Sequence, residues 1–250
     1  MAKDPLILVT NDDGIYAEGL DVLVRALAAL GRVVVYAPDS QQSAVGHGVT
    51  LRRPLRVTRV APDRFMVDGT PTDCVMLAVR GLLDRRPDLV VSGINAGANL
   101  GDDVTYSGTV AGAFEGMLLG IPSVAVSLVS PEAEHYDTAA EIACKIGQNV
   151  LRSGLPADIM LNVNVPDVSS DQLNGMALTS LGRRNYQDEI VTRVDPRGIP
   201  YYWIGGDAPT GVPEAGTDVG VLREGYVSIN PLTLDMTAYA CMDELTGWMI

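Results

Sequence analysis

Short apolar runs alternate with amphipathic segments over the first two thirds of the chain, and this alternation is the feature that most limits the possible fold. The apolar runs have the length of buried strands and occupy residues 6–10, 32–40, 87–97, 122–128 and 158–166. Apolar residues at helical spacing predict a helix over residues 18–30. We also expect helices over residues 70–83, where Pro71 lies in the first turn behind a possible Thr cap, over the segment 107–120, which is rich in small residues, and over 136–153. Because such alternation implies right-handed crossovers, we expect an α/β fold with a mostly parallel sheet covered by helices on both faces.

The pattern changes near Pro166, after which no long amphipathic segment appears until the last dozen residues. Short β-like segments separated by turn-forming stretches follow at residues 176–181, 189–194, 200–204 and 225–229. We therefore divide the chain into an α/β core over residues 1–166 and a smaller β-rich C-terminal extension over residues 167–250. The extension is either an appendage or an arm for a neighbouring subunit.

The composition argues against several classes of partner. The chain has 250 residues, with 18 Lys and Arg against 31 Asp and Glu, so its formal net charge is −13. This charge disfavours a stable nucleic-acid partner or an anionic membrane, and it means that an anionic substrate needs a local positive centre. Three widely spaced cysteines, a short apolar N-terminal run and the lack of a long apolar stretch indicate a cytoplasmic protein.

Carboxylates, amides and hydroxyls follow three of the expected strands. In a parallel sheet the carboxyl ends of the strands form one edge, and ligands bind there. We therefore expect the polar residues to meet at that edge: Asn11, Asp12 and Asp13 after the first strand, Ser43 after the second, and Asn95, Asn99 and Ser107 after the strand near residues 88–92.

Asp12 and Asp13 are the most informative of these residues. Two neighbouring carboxylates repel each other unless one holds a proton or a cation lies between them. The surrounding side chains supply oxygen donors, and neither the histidines nor the cysteines have zinc-like spacing. This set suits Mg²⁺ or Mn²⁺. The alternative is that one Asp caps the helix that begins near Glu18, with Gly14 making the turn.

The stretch Thr105-Tyr106-Ser107-Gly108-Thr109 begins a helix and has two interpretations. It could be an ordinary helix cap, or its free N–H groups and the positive end of the helix dipole could bind a phosphate. The nearby glycine-rich run lacks the Gly-Lys-Ser/Thr of a Walker A motif, and the chain has no Gly-x-Gly-x-x-Gly fingerprint.

The chain shows no motif for a side-chain nucleophile. There is no Gly-x-Ser-x-Gly elbow, and we expect His47 and His135 to be surface or loop residues and not catalytic bases. A water activated by a divalent metal ion is therefore the expected attacking group. Two alternatives stay open. One is a phosphatase of the haloacid-dehalogenase type with an aspartyl nucleophile, although that chemistry usually uses Asp-x-Asp. The other is a noncatalytic sensor that uses the same pocket, and the family resemblance described next implies that its ligand would be a nucleotide.

Five motifs give the chain a strong resemblance to the SurE family of stationary-phase survival proteins, which are 5′/3′-nucleotidases. They are ILVTNDDGIYAEGL, VYAPDSQQS, GTPTDCV, VVSGINAGANLGDDVTYSGTVAGAFEG and EGYVSINPL. The resemblance implies a Rossmann-like core, a C-terminal part that exchanges elements between subunits, and a homodimer or homotetramer. It also implies hydrolysis of nucleoside 5′- and 3′-monophosphates with one Mg²⁺ or Mn²⁺ ion per subunit.

The resemblance also implies roles for individual residues. The family's metal ligands fall on Asp12, Asp13, Ser43 and Asn95. Asn11 is implied as a residue that either lies directly behind the ligands or contacts the phosphate, and it is grouped with the two aspartates as catalytic. The implied substrate- and phosphate-binding residues are Asn99, Ser107, Gly108 and Thr109. One departure is visible, because Ala44 stands where the family commonly has Gly after the ligand Ser. Ala adopts fewer backbone conformations than Gly, so we expect a stiffer loop.

Overall fold

The computed structural model describes residues 4–249, apart from the side chains of residues 186–188, 206–209 and 249. Within this range the strands are β1 (Leu6–Thr10), β2 (Arg32–Pro38), β3 (Val57–Ala61), β4 (Arg64–Val67), β5 (Leu89–Ala96), β6 (Ser123–Leu128), β7 (Met160–Val165), β8 (Met176–Leu178), β9 (Arg184–Val194), β10 (Pro200–Gly211) and β11 (Val227–Leu232). The helices are α1 (Glu18–Leu27), α2 (Pro71–Leu77), α3 (Gly108–Leu118), α4 (Tyr136–Ser153), α5 (Asp218–Arg223) and α6 (Met242–Thr246).

Nine strands form one mostly parallel sheet in the order β3-β4-β2-β1-β5-β6-β7-β11-β8, and β9 pairs with β10 in a separate antiparallel hairpin. The central strand β1 pairs in parallel with β2 on one side and with β5 on the other. The strands that follow β1 in the chain, β2 to β4, lie on one side of β1 in the sheet, and the next strands, β5, β6 and β7, lie in order on its other side. The direction of growth therefore reverses between β1 and β5, which is where open α/β sheets bind ligands.

Helices cover both faces of the sheet, which confirms the expected fold class. Successive side chains of a strand point to opposite faces. Accordingly, Ile7 and Val9 of β1 pack in the cluster that contains buried residues of α1 and α4, whereas Leu6 and Leu8 pack in the cluster that contains those of α2. A strand buried on both faces is apolar at every position, and this explains the unbroken run at the start of β1.

Helix α3 lies unusually close to the sheet because glycines form its inner side. A Cβ atom built on Gly112 would be 2.8 Å from Thr10 Cγ2 and 2.9 Å from Ser92 Oγ. A Cβ atom built on Gly116 would be 2.9 Å from Val90 Cβ and would also collide with Ser123. The small residues of this segment therefore set the distance between the helix and the strands β1 and β5.

The C-terminal extension is more closely joined to the core than its composition indicates. Strand β11 pairs antiparallel with β7, and β8 pairs in parallel with β11, so both belong to the main sheet. The hairpin β9–β10 is longer than the predicted segments 189–194 and 200–204, because its paired register runs from Arg184 to Gly211 with one irregularity. Among the described residues, none of the helices combines the length and apolar composition needed to cross a bilayer.

Gly116→Ala is expected to lower the free energy of unfolding by about 1–3 kcal/mol, because the added methyl group must displace β5 or β6 from a close-packed interface. The matched control is Gly81→Ala, since nothing lies within 4 Å of the Cβ position at Gly81. Gly81 lies in the short helical segment Ala78–Leu82 that follows α2. This control should be neutral or stabilising by up to about 1 kcal/mol, as Ala has the higher helix propensity. Urea unfolding at one protein concentration measures both, and equal stabilities would contradict the packing argument.

Candidate functional site

The predicted polar residues meet at the carboxyl ends of β1, β2 and β5. The loops after these strands and the start of α3 line an open cleft of about 370 Å³. The cleft lies at the switch point of the sheet, where the direction of growth reverses between β1 and β5. Six of the predicted site residues line the cleft: Asp12, Asp13, Ser43, Asn95, Asn99 and Ser107. The other three, Asn11, Gly108 and Thr109, are buried behind it.

The turn after β1 holds the two aspartates in place. Asn11 is fully buried and donates from its side-chain amide to the Gly14 carbonyl oxygen over 3.0 Å. Gly14 has a φ of +101°, a conformation that favours glycine over residues with a Cβ atom. The Asp12 carbonyl oxygen accepts from the Gln42 N–H over 2.7 Å, and an oxygen of the Asp13 carboxylate accepts from the Ala96 N–H over 3.3 Å. These two hydrogen bonds thus attach the turn to the loop after β2 and to the last residue of β5.

Both carboxylates lie where their charge is poorly hydrated. Only 6% of Asp12 is exposed, and its pKa is raised to about 6. Burial is the main cause, and the negative charge of Asp13 adds to it, whereas the hydrogen bond from Thr109 acts in the opposite direction. Burial also raises the pKa of Asp13. Within the described part of the chain, neither carboxylate forms an ion pair with a basic side chain. A bound cation would therefore relieve an unfavourable arrangement.

The start of α3 is packed directly against Asp12. A Cβ atom on Gly108 would be only 2.8 Å from the Asp12 Cβ, so glycine allows this approach. Thr109 is fully buried and its hydroxyl donates to the Asp12 carboxylate. Ser107 caps the helix, because its hydroxyl accepts from the Val110 N–H over 3.1 Å, and it also lines the cleft. The structure thus places Thr109 as a support for Asp12 and Ser107 at the cleft surface.

The loop after β2 carries Ser43 into the cleft and is attached at several points. In addition to the bond between Gln42 and Asp12, the Gly46 N–H donates to the Tyr106 carbonyl oxygen over 2.9 Å. His47 lies in this loop as predicted, and its Nε2 is 3.1 Å from a carboxylate oxygen of the buried Glu115 in α3. The loop is therefore held between the first turn and α3, with Ser43 in the middle.

Asn95 and Asn99 come from the end of β5 and the loop that follows it. The side-chain nitrogen of Asn95 donates to the Gly97 carbonyl oxygen over 2.8 Å, so its oxygen is the end left to bind a cation. Asn99 is held by buried polar groups of the neighbouring strands: it donates to Ser127 Oγ over 2.7 Å and its backbone exchanges hydrogen bonds with Asn164. These bonds fix the position of Asn99 at the cleft.

The four predicted metal ligands fit a divalent ion that prefers oxygen. Asp12, Asp13, Ser43 and Asn95 all line the same cleft and offer two carboxylates, a hydroxyl and an amide oxygen. Among the described residues, no group of three or more His, Cys, Asp and Glu is arranged to hold a metal ion. A metal in this cleft would therefore depend on the neutral oxygens of Ser43 and Asn95, which suits Mg²⁺ or Mn²⁺ better than Zn²⁺.

The cleft lining also includes polar or aromatic residues that were not among the predicted ligands and phosphate-binding residues, although the sequence places Asp103 after the same strand as Asn95. Among them are Asp103, Tyr106 and Arg184. Arg184, at the start of β9, donates from Nε to the Asp103 carboxylate over 2.8 Å, and both side chains are largely buried. Arg184 is distant in sequence from the other site residues and belongs to no recognisable pattern, so no local signal points to it. Tyr106 lies within the predicted phosphate-binding stretch.

Comparisons of the sequence and of the structure with known proteins all find the same family. A family model described as survival protein SurE matches residues 7–188. The chain is 52% identical over 243 residues to the 5′-nucleotidase SurE of Geobacter sulfurreducens, covering 97% of this chain and 93% of the relative. It is 51% identical to the 5′-nucleotidase SurE of Geotalea daltonii, covering 98% and 99%. The crystal structure of the SurE protein from Aquifex aeolicus superposes with a TM-score of 0.87 at 42% identity, covering 98% of this chain and 100% of that one.

Ala44→Gly is expected to raise the free energy of unfolding by about 1 kcal/mol, because Ala44 has a φ of +56° and a side chain is disfavoured in this left-handed region. Thermal or urea unfolding of the metal-free protein measures the change. The matched control is Ala28→Gly, since the exposed Ala28 has a right-handed φ of −59°. There the same substitution should lower stability by roughly 0.5–1 kcal/mol. A loss of stability at both positions would contradict strain at Ala44.

Proposed function

Because the chain belongs to the SurE family, we propose that it is a nucleotidase that hydrolyses nucleoside 5′- and 3′-monophosphates to nucleoside and phosphate with one divalent metal ion per subunit. The observation that carries the proposal is the pair of poorly hydrated carboxylates, Asp12 and Asp13, in a cleft that also contains Ser43 and Asn95. Relatives that match nearly the whole chain are named 5′-nucleotidases.

Asp12, Asp13, Ser43 and Asn95 would hold the ion, which we propose to be Mg²⁺ or Mn²⁺. Such an ion lowers the pKa of a coordinated water and polarises a phosphoryl oxygen when it is bound. The chain's own contribution is to fix the ligands. Thr109 orients Asp12 through its hydroxyl, and Asn11 keeps the turn that carries both aspartates in one shape. Fixed ligands need no reorganisation as charge develops in the transition state.

The start of α3 is proposed to bind the phosphate. The helix extends over Gly108–Leu118, and its positive dipole end lies at the cleft, whose wall includes the largely buried Ser107. Gly108 keeps this end free of a side chain. Asn99 is proposed to contact the substrate from the opposite loop, since its position is fixed by Ser127 and Asn164. These groups would stabilise negative charge on the phosphoryl oxygens.

Arg184 is proposed to supply the positive centre that an anionic substrate needs in this acidic protein. Among the cleft-lining residues that the structure describes, it is the one with a basic side chain. Asp103 holds the guanidinium on one edge through Nε, which orients the group. A guanidinium can offer two parallel N–H donors to a phosphate, so its fixed orientation favours binding.

We also propose a homodimer or homotetramer in a reducing cytoplasm. The hairpin β9–β10 exposes large apolar side chains that have no role in the core of one chain, among them Tyr202, Trp203 and Ile204. Large exposed apolar patches mark interaction surfaces. The three cysteines, which all lie in the described part of the chain, form no disulfide, as expected of a protein in a reducing compartment.

Asp12→Asn is expected to lower kcat/KM for adenosine 5′-monophosphate by roughly a hundredfold or more, since even substitutions behind a metal ligand cost 10–100-fold. Phosphate release with Mn²⁺ measures activity, and calorimetric titration with Mn²⁺ measures metal binding. Stability of the metal-free protein should not fall, because the substitution removes a poorly hydrated charge. Asp102→Asn, at an exposed aspartate outside the cleft lining, is the control and should retain activity. Wild-type turnover by Asp12→Asn would contradict the proposal.

Arg184→Gln is expected to raise KM for nucleoside monophosphates by roughly tenfold, the effect of losing a hydrogen bond to a charged group of about 1.5 kcal/mol. Arg184→Lys should restore part of the loss, because it keeps the charge but not the planar group. Arg183→Gln is the matched control, as Arg183 is exposed and adjacent but does not line the cleft. Steady-state kinetics at two salt concentrations measure the effect, and identical behaviour of the two Gln variants would argue against this role.

A further inference from the structure

Tyr106 presents an aromatic ring at the rim of the cleft. It is 62% exposed, and it lines the same cleft as Asp12, Asp13 and Ser107. Among the cleft-lining residues that the structure describes, it is the one aromatic side chain. It also directly precedes Ser107, so a molecule whose phosphate lies at the start of α3 would have its remaining part close to this ring.

The backbone of Tyr106 is fixed on both sides. Its N–H donates to the Asp103 carbonyl oxygen over 3.0 Å, and its carbonyl oxygen accepts from the Gly46 N–H over 2.9 Å. The first bond closes the turn before α3, and the second attaches the loop that carries Ser43. The base of the side chain is thus held while most of its surface stays open to solvent, which is the arrangement of a preformed binding platform.

Core packing does not account for this ring. The neighbouring Val104 and Val110 are buried and belong to the cluster beneath α3, and they supply the apolar contacts of this segment. The described aromatic pairs are Tyr36 with Phe65 and His47 with Phe114, and neither includes Tyr106. The exposed ring is therefore available to a ligand.

We propose that Tyr106 binds the nucleobase of the substrate by stacking, while the phosphate lies at the start of α3. This inference rests on the proposed function. It assigns a binding residue to the nucleobase, the part of the substrate that the metal and phosphate contacts do not recognise. Stacking on an aromatic ring tolerates every base because each base has a π face. Tyr106 therefore selects nucleotides over other phosphate monoesters and discriminates only weakly among bases, with purines favoured by their larger stacking area.

The test compares adenosine 5′-monophosphate with ribose 5-phosphate, which has the same phosphate and sugar but no base. Tyr106→Ala is expected to raise KM for the nucleotide fivefold or more, which corresponds to the lower end, about 1 kcal/mol, of stacking contributions. KM for ribose 5-phosphate should stay unchanged, and the preference of the wild type for purine over pyrimidine monophosphates should disappear. Tyr106→Phe keeps the ring and should behave as the wild type with both substrates.

Tyr16→Ala is the matched control. Tyr16 is 73% exposed and lies in the loop after β1, but it does not line the cleft. An equal rise in KM for both substrates in Tyr106→Ala would assign Tyr106 to the phosphate or to the loop structure and overturn the proposal, as would no change for either. If the wild type releases phosphate from neither compound with Mg²⁺ or Mn²⁺, the proposed function itself fails.

Discussion

The placement of two carboxylates at the switch point between β1 and β5 is the constraint on which the rest of the site depends. Asp12 is almost completely buried and Asp13 is half-buried beside it, so each disfavours the charge of the other. Such a pair persists when its surroundings fix it and when a proton on one carboxylate, or a nearby cation, offsets the repulsion. The hydroxyl of Thr109 and the turn closed by Asn11 provide the first condition. The open cleft with Ser43 and Asn95 provides the second.

Close packing of α3 connects this site to the core. Gly112 and Gly116 allow the helix to approach β1 and β5, and Gly108 brings its first turn against Asp12. The same helix therefore supports the carboxylate and presents its positive end to the cleft. Small residues in α3 are often interpreted only as packing residues, but here the packing distance determines whether Ser107 and Asp12 face one cavity. The stability of the core and the shape of the cleft therefore depend on the same interface.

Much of this arrangement could be predicted from the sequence, because it depends on local patterns. Helix α4 has the bounds predicted from the sequence, and the rule that ligands bind at the carboxyl ends of strands located the edge where Asp12, Ser43 and Asn95 meet. The insertion of β11 between β7 and β8 could not be predicted, since strand pairing over such a long sequence separation leaves no local pattern. Arg184 was missed for the same reason, as it meets Asp103 across 81 residues.

The β-rich C-terminal extension also contributes to the site. Asp218 is fully buried and accepts from the Gly101 N–H over 2.8 Å and from the Gly182 N–H over 2.7 Å, which joins the extension to the loop before α3. Arg184 lies two residues after Gly182, and its side chain lines the cleft beside Asp103. Arg184, the proposed positive centre in a chain with a net charge of −13, is thus the first residue of the exposed hairpin β9–β10. A subunit contact made through that hairpin, as proposed above, would therefore involve the same strand that carries Arg184 into the cleft.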